Sequence, residues 1–202
     1  MTAFWDQRYT REDYLFGVAP NAFLARQAPR LKAGGRALAI ADGEGRNGVW
    51  LAEQGLAVHS VDSSAVAQEK ARRLAAARGV TLELELVDLS AWSWPVAAYD
   101  VVAGIFIQFL PPAERDLMFT RIREALKPGG LLLLEGYRPE QIVYGTGGPS
   151  QAENLYTEAL LRAAFADFNI LELRGYDAEI AEGSAHRGMS ALIDLVAEKP
   201  AA

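Results

Sequence analysis

The feature that most constrains this chain is the run Gly43-Glu44-Gly45-Arg46-Asn47-Gly48. It follows a short apolar stretch, residues 36–41 with Asp42 at its end, and precedes an amphipathic segment, 46–54, that Gly55 closes. Glycines at this spacing let a strand turn tightly into a helix and let the backbone approach a ligand closely. The same spacing suits a plain strand-to-helix turn, so the rest of the chain decides. Apolar runs at 56–61, 80–87, 99–105 and 131–134 alternate with helical patterns at 63–78, 111–127 and 157–167. Two further strand-like runs follow at 169–176 and 190–198. This alternation predicts βαβ units and a mainly parallel sheet. Leu131 to Leu134 are apolar on both faces, as a central strand requires.

Two carboxylates give the glycine loop a chemical meaning. Asp62 ends the second strand, about 20 residues beyond the loop, where an acid can accept hydrogen bonds from both ribose hydroxyls. Asp88 ends the third strand and can accept from an adenine amino group. Either acid can also simply cap the next helix; three such features at adjacent strand ends suit an adenosine. A nicotinamide dinucleotide and S-adenosylmethionine both present one. Asp42 and Glu44 place carboxylates in the glycine loop, which repels a pyrophosphate and tolerates a sulfonium and an ammonium. The 202 residues read as one domain, and the second domain that most dehydrogenases use is not expected.

The runs Ala37 to Asn47, Val61-Asp62, Val87-Asp88-Leu89, Tyr99-Asp100-Val101-Val102 and Leu126-Lys127-Pro128-Gly129-Gly130 resemble the ordered motifs of class I S-adenosylmethionine-dependent methyltransferases. The step Gly45-Arg46-Asn47, the opening Trp5-Asp6-Gln7-Arg8-Tyr9 and the late His186-Arg187 resemble the tellurite-resistance (TehB-type) and thiopurine methyltransferase-like branch. The resemblance implies an α/β, Rossmann-like three-layer sandwich in which the seven-stranded, mostly parallel sheet has its last strand antiparallel. The whole chain is expected to form one domain, with residues 1–30 as an aromatic-rich lid or helical extension. It implies S-adenosylmethionine as cofactor and S-adenosylhomocysteine as product. The expected cofactor contacts are Asp42, Gly43, Glu44, Gly45, Arg46, Asn47, Asp62, Ser63, Asp88, Leu89, Gly104 and Ile105. One departure stands out: Ala39 and Ala41 occupy the places of the family's acidic residue and first glycine. Asp42, Glu44 or Arg46 is expected to take over at the methionine end.

By analogy with that branch, His186 and Arg187 face the acceptor, His186 orienting or deprotonating it and Arg187 holding an anion. A surface turn is the competing reading. Tyr14, Gln108 and Tyr137 are expected in the substrate pocket, His59 is read as structural, and Trp92 and Trp94 either flank the adenine or pack. The favoured acceptor is a small thiol or a chalcogen oxyanion such as tellurite or selenite, which need little base assistance. O- or N-methylation of a small metabolite, a non-catalytic sensor of S-adenosylmethionine and, last, a nicotinamide reductase remain open.

A formal charge of -6 without a basic run argues against nucleic acid as partner. No apolar stretch is long enough for a bilayer, and the charged, aromatic start does not read as a signal peptide, so a cytoplasmic protein is expected. The oligomeric state, monomer or weak dimer, stays open. The absence of Cys excludes thiolate metal sites and any relay through a protein thiol, and no convincing metal-ligand spacing occurs. No Asn/Asp-Pro-Pro-aromatic run follows the fourth strand, which sets aside amino methylation of bases or glutamine.

Overall fold

The computed structural model describes residues 2–201. Helices α1 (Thr2–Tyr9) and α2 (Ala22–Arg26) precede the sheet. Then come β1 (Arg36–Ile40), α3 (Arg46–Glu53), β2 (Ala57–Asp62), α4 (Ala65–Arg78), β3 (Glu83–Leu86), β4 (Tyr99–Ile105), α5 (Pro112–Ala125) and β5 (Leu126–Tyr137). A short α6 (Gln141–Tyr144), α7 (Glu158–Ala164), β6 (Asn169–Glu182) and β7 (His186–Glu198) complete the chain. The strand order is β3-β2-β1-β4-β5-β7-β6, with β7 antiparallel to both neighbours and the remaining pairs parallel. This is the architecture expected from the sequence.

Period-two alternation sorts the sheet residues onto two faces. Leu38, Ile40, Val102, Leu132 and Leu134 pack with Met118, Phe119 and Ile122 of α5 and Leu161 of α7. Ala37, Ala39, Val101, Ala103, Leu131 and Leu133 pack with Phe23 and Leu24 of α2 and Leu51 of α3. The helix starts follow their caps: Asn21, Ser64 and Thr157 each accept a hydrogen bond from the N–H three residues on. Gly79, at φ +69°, stops α4.

Several boundaries differ from the sequence reading. The expected strand 80–87 shrinks to β3, because the Val80 N–H turns back to Ala75 O to close α4. The 127–130 turn is a bulge within β5, where pairing jumps from Tyr99–Leu126 to Val101–Leu131 and Gly129 takes φ +74°. The long loop 138–155 holds α6 and a 3-10 turn at Ala152–Asn154. The largest difference is a long hairpin: β6 and β7 run out past the sheet to a turn at Gly183, Ser184 and Ala185. There the Ser184 and Ala185 N–H groups both donate to Leu15 O, at 3.0 and 3.2 Å. The hairpin tip thereby holds the segment after α1 over the carboxyl ends of the strands. Among the described residues no helix is long and apolar enough to cross a membrane.

Candidate active site

A cleft of about 280 Å³ opens at the carboxyl ends of β1, β2, β3 and β4, roofed by α1 and the hairpin tip. Ligands bind at this edge of open α/β sheets.

One end is lined by Asp62, Ser63, Val87, Asp88, Leu89, Ser90, Phe109, Leu110 and Glu114. Asp62 is buried; Oδ2 accepts from the Gly43 N–H at 2.9 Å and Oδ1 from the Ser64 N–H at 2.8 Å. The acid therefore ties the glycine loop to the start of α4. Burial raises its pKa, opposed by these N–H donors. Asp88 is exposed to the cleft side; one oxygen takes the Ser90 N–H and hydroxyl, at 2.9 and 2.6 Å, which holds its pKa down.

The middle is lined by Ala41, Asp42, Gly43, Arg46, Asn47 and Ile105. Ala41 adopts φ +47°, so the backbone takes the left-handed turn although glycine is missing. Ala39 pairs in register with Ser60, and Asp42 reaches back to that serine: its Oδ2 accepts from Ser60 Oγ at 2.8 Å and its Oδ1 from the Gly48 N–H at 3.1 Å. A carboxylate from position 42 thus stands beside the strand residue opposite Ala39. A Cβ at Gly48 would overlap it, which explains that glycine. Burial pushes the Asp42 carboxyl up to about 7. Arg46 is buried against Glu182 of β6, at 2.6 Å. Glu182 also accepts from Asn21 Nδ2 and the Ala22 N–H, both at 3.1 Å. Behind them Asn21 Nδ2 donates to Glu135 at 2.5 Å, and burial with Asp194 and Glu182 nearby pushes the Glu135 carboxyl well up.

The far end is aromatic: Trp5, Tyr9, Phe16, Phe106 and His186. Trp5 stacks on Tyr9, whose hydroxyl stands over Gly43. The His186 ring lies 4.5 Å from Phe16 and 4.6 Å from Phe106, centroid to centroid. Phe106 holds that position at φ +56°, a strained conformation for a bulky residue. Nδ1 of His186 is enclosed without a hydrogen-bond partner. Burial, with the Arg46 charge adding to it, pushes the imidazole down to about 4, so it is neutral at pH 7.

The cleft brings together Asp42, Gly43, Arg46, Asn47, Asp62, Ser63, Asp88, Leu89, Ile105 and His186 from the sequence expectations. Others lie elsewhere. Glu44 turns away: it pairs with Lys70 at 2.6 Å and accepts from the Leu15 N–H at 2.7 Å. Gly45 backs onto Ala71, and Gly104 is packed between Ile107 and Leu134. Tyr14 donates to Lys70 O at 3.1 Å. Gln108 is buried and spends its amide on the backbone, donating to Tyr137 O and Asn154 O and accepting from the Tyr137 N–H. Tyr137 is buried behind Phe106 and His186. Arg187 is exposed, because the residue after His186 on a strand points to the other face. Phe106, Phe109 and Leu110 were missed, their only signal a run of bulky apolar residues just past a strand end; Glu114, in the first turn of α5, was missed as well. Trp5, Tyr9 and Phe16, from the aromatic-rich residues 1–30, line the cleft.

Residues 37–130, from β1 into β5, match a family described as a methyltransferase domain. A carboxy-S-adenosyl-L-methionine synthase of Geobacter metallireducens is 36% identical over 75 residues, which is 37% of this chain and 29% of that protein. The match therefore spans under a third of that relative. Among solved structures, one concerned with conversion of a disulfide bond into a thioacetal group during echinomycin biosynthesis superposes with TM-score 0.80 at 18% identity, over 99% of this chain and 92% of that one. TehB from Haemophilus influenzae gives 0.73 at 16% identity, over 98% and 66%. These structures share the fold. The domain match, which covers just under half of the chain, and the strand order agree on a methyltransferase-type α/β fold, with two strand-end aspartates flanking one cleft.

Proposed function

We propose that the protein methylates a small thiol, with S-adenosylmethionine as donor. When bound, the donor supplies a sulfonium methyl that passes to the acceptor sulfur, leaving S-adenosylhomocysteine, the methyl thioether and one proton. The residues present suit it. Asp62 and Asp88 stand where a ribose and an adenine amino group need acceptors. Asp42, Asp62, Asp88 and Glu114 make the cleft electronegative, which favours a sulfonium and an ammonium over a pyrophosphate. Tyr9 and Trp5 cover the glycine loop, and this roof excludes water while the reacting atoms are aligned.

The observation that carries the choice of acceptor is the charge balance of the aromatic end. Among the described residues lining the cleft, the one guanidinium, Arg46, is committed to Glu182. His186 is neutral and Arg187 lies outside. Arg8 is stacked on the rings of Phe4 and Trp5. Beside the donor's sulfonium, no cation among the described residues is free to hold an oxyanion there, and desolvating one against that single charge is costly. A thiol enters such a site uncharged and packs well against rings. A few per cent of it is thiolate at pH 7 without strong base help, and Nε2 of neutral His186 can accept its S–H and aim the sulfur. This ranks a thiol ahead of tellurite or selenite.

The test is release of S-adenosylhomocysteine with small thiols, tellurite and selenite as separate acceptors. Turnover with thiols and none with the oxyanions supports the proposal; turnover on an oxyanion alone overturns it. Asp62→Ala should abolish measurable binding of donor and product in calorimetry, and unchanged affinity would remove the ribose assignment.

A further inference from the structure

The segment carrying Asp88, Leu89 and Ser90 has no ladder to hold it. Residues 87–98 form neither strand nor helix. At its start the Val87 N–H reaches Asp62 O, and at its end the Ala97 and Ala98 N–H groups reach the end of α5. Between these points one backbone turn, the Ala91 N–H to Asp88 O, is joined by side chains that do the rest of the holding. Trp94 Nε1 donates to Leu89 O at 3.1 Å, and Arg121 of α5 donates to Leu89 O and Ser90 O at 2.7 and 3.2 Å. Trp92 packs 5.0 Å from Trp94 and donates Nε1 to Glu85 Oε1 of β3 at 3.2 Å.

That chain ends on His59 in the middle of β2. His59 is buried, on the sheet face that carries Val61 and Tyr99, where an aliphatic residue would pack at no polar cost. Its Nδ1 is 2.7 Å from Tyr99 Oη. Its Nε2 is 2.9 Å from Glu85 Oε2, off the line of a good hydrogen bond but in close electrostatic contact. Trp92 stands edge-on to the ring at 5.6 Å and 74°. One imidazole therefore lies against both Glu85 and Trp92, and Glu85 uses its other oxygen to accept from that same tryptophan.

We propose that His59 is a positioning residue for the cofactor: through Glu85, Trp92 and Trp94 it sets the place of Asp88 and Leu89, and so the affinity for the adenosine, without touching it. The proposal rests on the reading of that end of the cleft as the adenosine site. It separates two roles that a strand histidine can have. A packing residue affects stability alone. A positioning residue affects binding at constant stability, and leaves the transfer step intact once the site is filled.

The test uses the full chain with the double variant His59→Val/Tyr99→Phe, which removes both members of the buried polar pair and so leaves no orphaned hydroxyl. Glu85→Ala is the second variant; Glu85 is about half exposed and its loss is tolerated by the fold. S-adenosylhomocysteine affinity is measured by calorimetry, KM and kcat with S-adenosylmethionine varied, and tryptophan emission without ligand. Both variants should bind about tenfold more weakly, raise KM by the same factor, hold kcat within twofold and shift ligand-free emission to the red. Glu85→Gln, which keeps an acceptor for Trp92, should stay within threefold of wild type. Folded variants with wild-type affinity and emission would overturn the proposal and leave His59 a packing residue. Wild-type protein that binds no S-adenosylhomocysteine would overturn the cofactor reading itself, a distinguishable failure.

Discussion

The neutral state of His186 has a measurable consequence. Its ring sits between Phe16, Phe106 and Tyr137, and its pKa falls from 6.5 to about 4. Between those values the unfolded chain binds a proton that the folded chain refuses, so stability declines as pH falls through this window and is untouched above it. The displacement corresponds to about 3 kcal/mol, all of it lost below pH 4 and about 2 kcal/mol of it by pH 5. His186→Gln removes the titration. Urea unfolding of both proteins from pH 8 to 4.5 gives two stability curves. Their difference isolates the imidazole, because Asp42 and Glu135 titrate in both. The wild-type curve should drop by about 2 kcal/mol more than the variant's by pH 5. In parallel, wild-type kcat/KM should show no inflection near 6.5 that the variant lacks. Parallel curves, or a limb near 6.5 that disappears in His186→Gln, would mean that the folded protein protonates this ring freely and that the acceptor end is not kept uncharged.

Further expectations concern the residues around it. Gln108→Ala removes three buried hydrogen bonds and should cost about 3 kcal/mol, lowering Tm by roughly 10 °C; an unchanged Tm with a raised acceptor KM would return Gln108 to the substrate pocket. Ala41→Gly relieves the left-handed strain and should raise stability by about 0.5–1 kcal/mol after the entropy of the added glycine, and a fall in Tm would contradict the backbone assignment. Asp42 sits near 7, so a cationic ligand arriving beside it should lower that value and release about half a proton at pH 7. Calorimetry in phosphate and in Tris should reveal the release and lose it in Asp42→Asn; proton uptake would refute the placement. Arg187→Ala should keep kcat/KM within twofold, since the side chain is outside the cleft, and a large loss would bring it back as an anion ligand.

The legible parts of the molecule were those set by short-range rules. Asp62 and Asp88 are readable because a strand end fixes where the next side chain stands, and the glycine loop because its spacing is backbone geometry. Glu44 was misread because its partner, Lys70, comes from the next helix 26 residues away; only its place at a helix start, which suits an anion, was visible. Gln108 looked like a pocket residue because it follows a strand end, yet the unpaired backbone of Tyr137 draws its amide inward. The hairpin arms escaped notice because half-exposed strands with Gly188 and Ser190 lack a clean alternation, and without them the opposite facing of His186 and Arg187 could not be read. Ala41 hid the turn that its neighbours require, since alanine rarely takes a positive φ.

The hydrogen bonds from Ser184 and Ala185 to Leu15 join positions 169 residues apart or more. Closing so wide a loop comes late in folding. On a ribosome the strand-end aspartates emerge early, and the segment after α1 can already lean on Glu44 and Lys70, but its last clasp arrives only with the final two strands. The first residues made and nearly the last ones thus meet over the same cleft, so the roof is completed only when the whole sheet is.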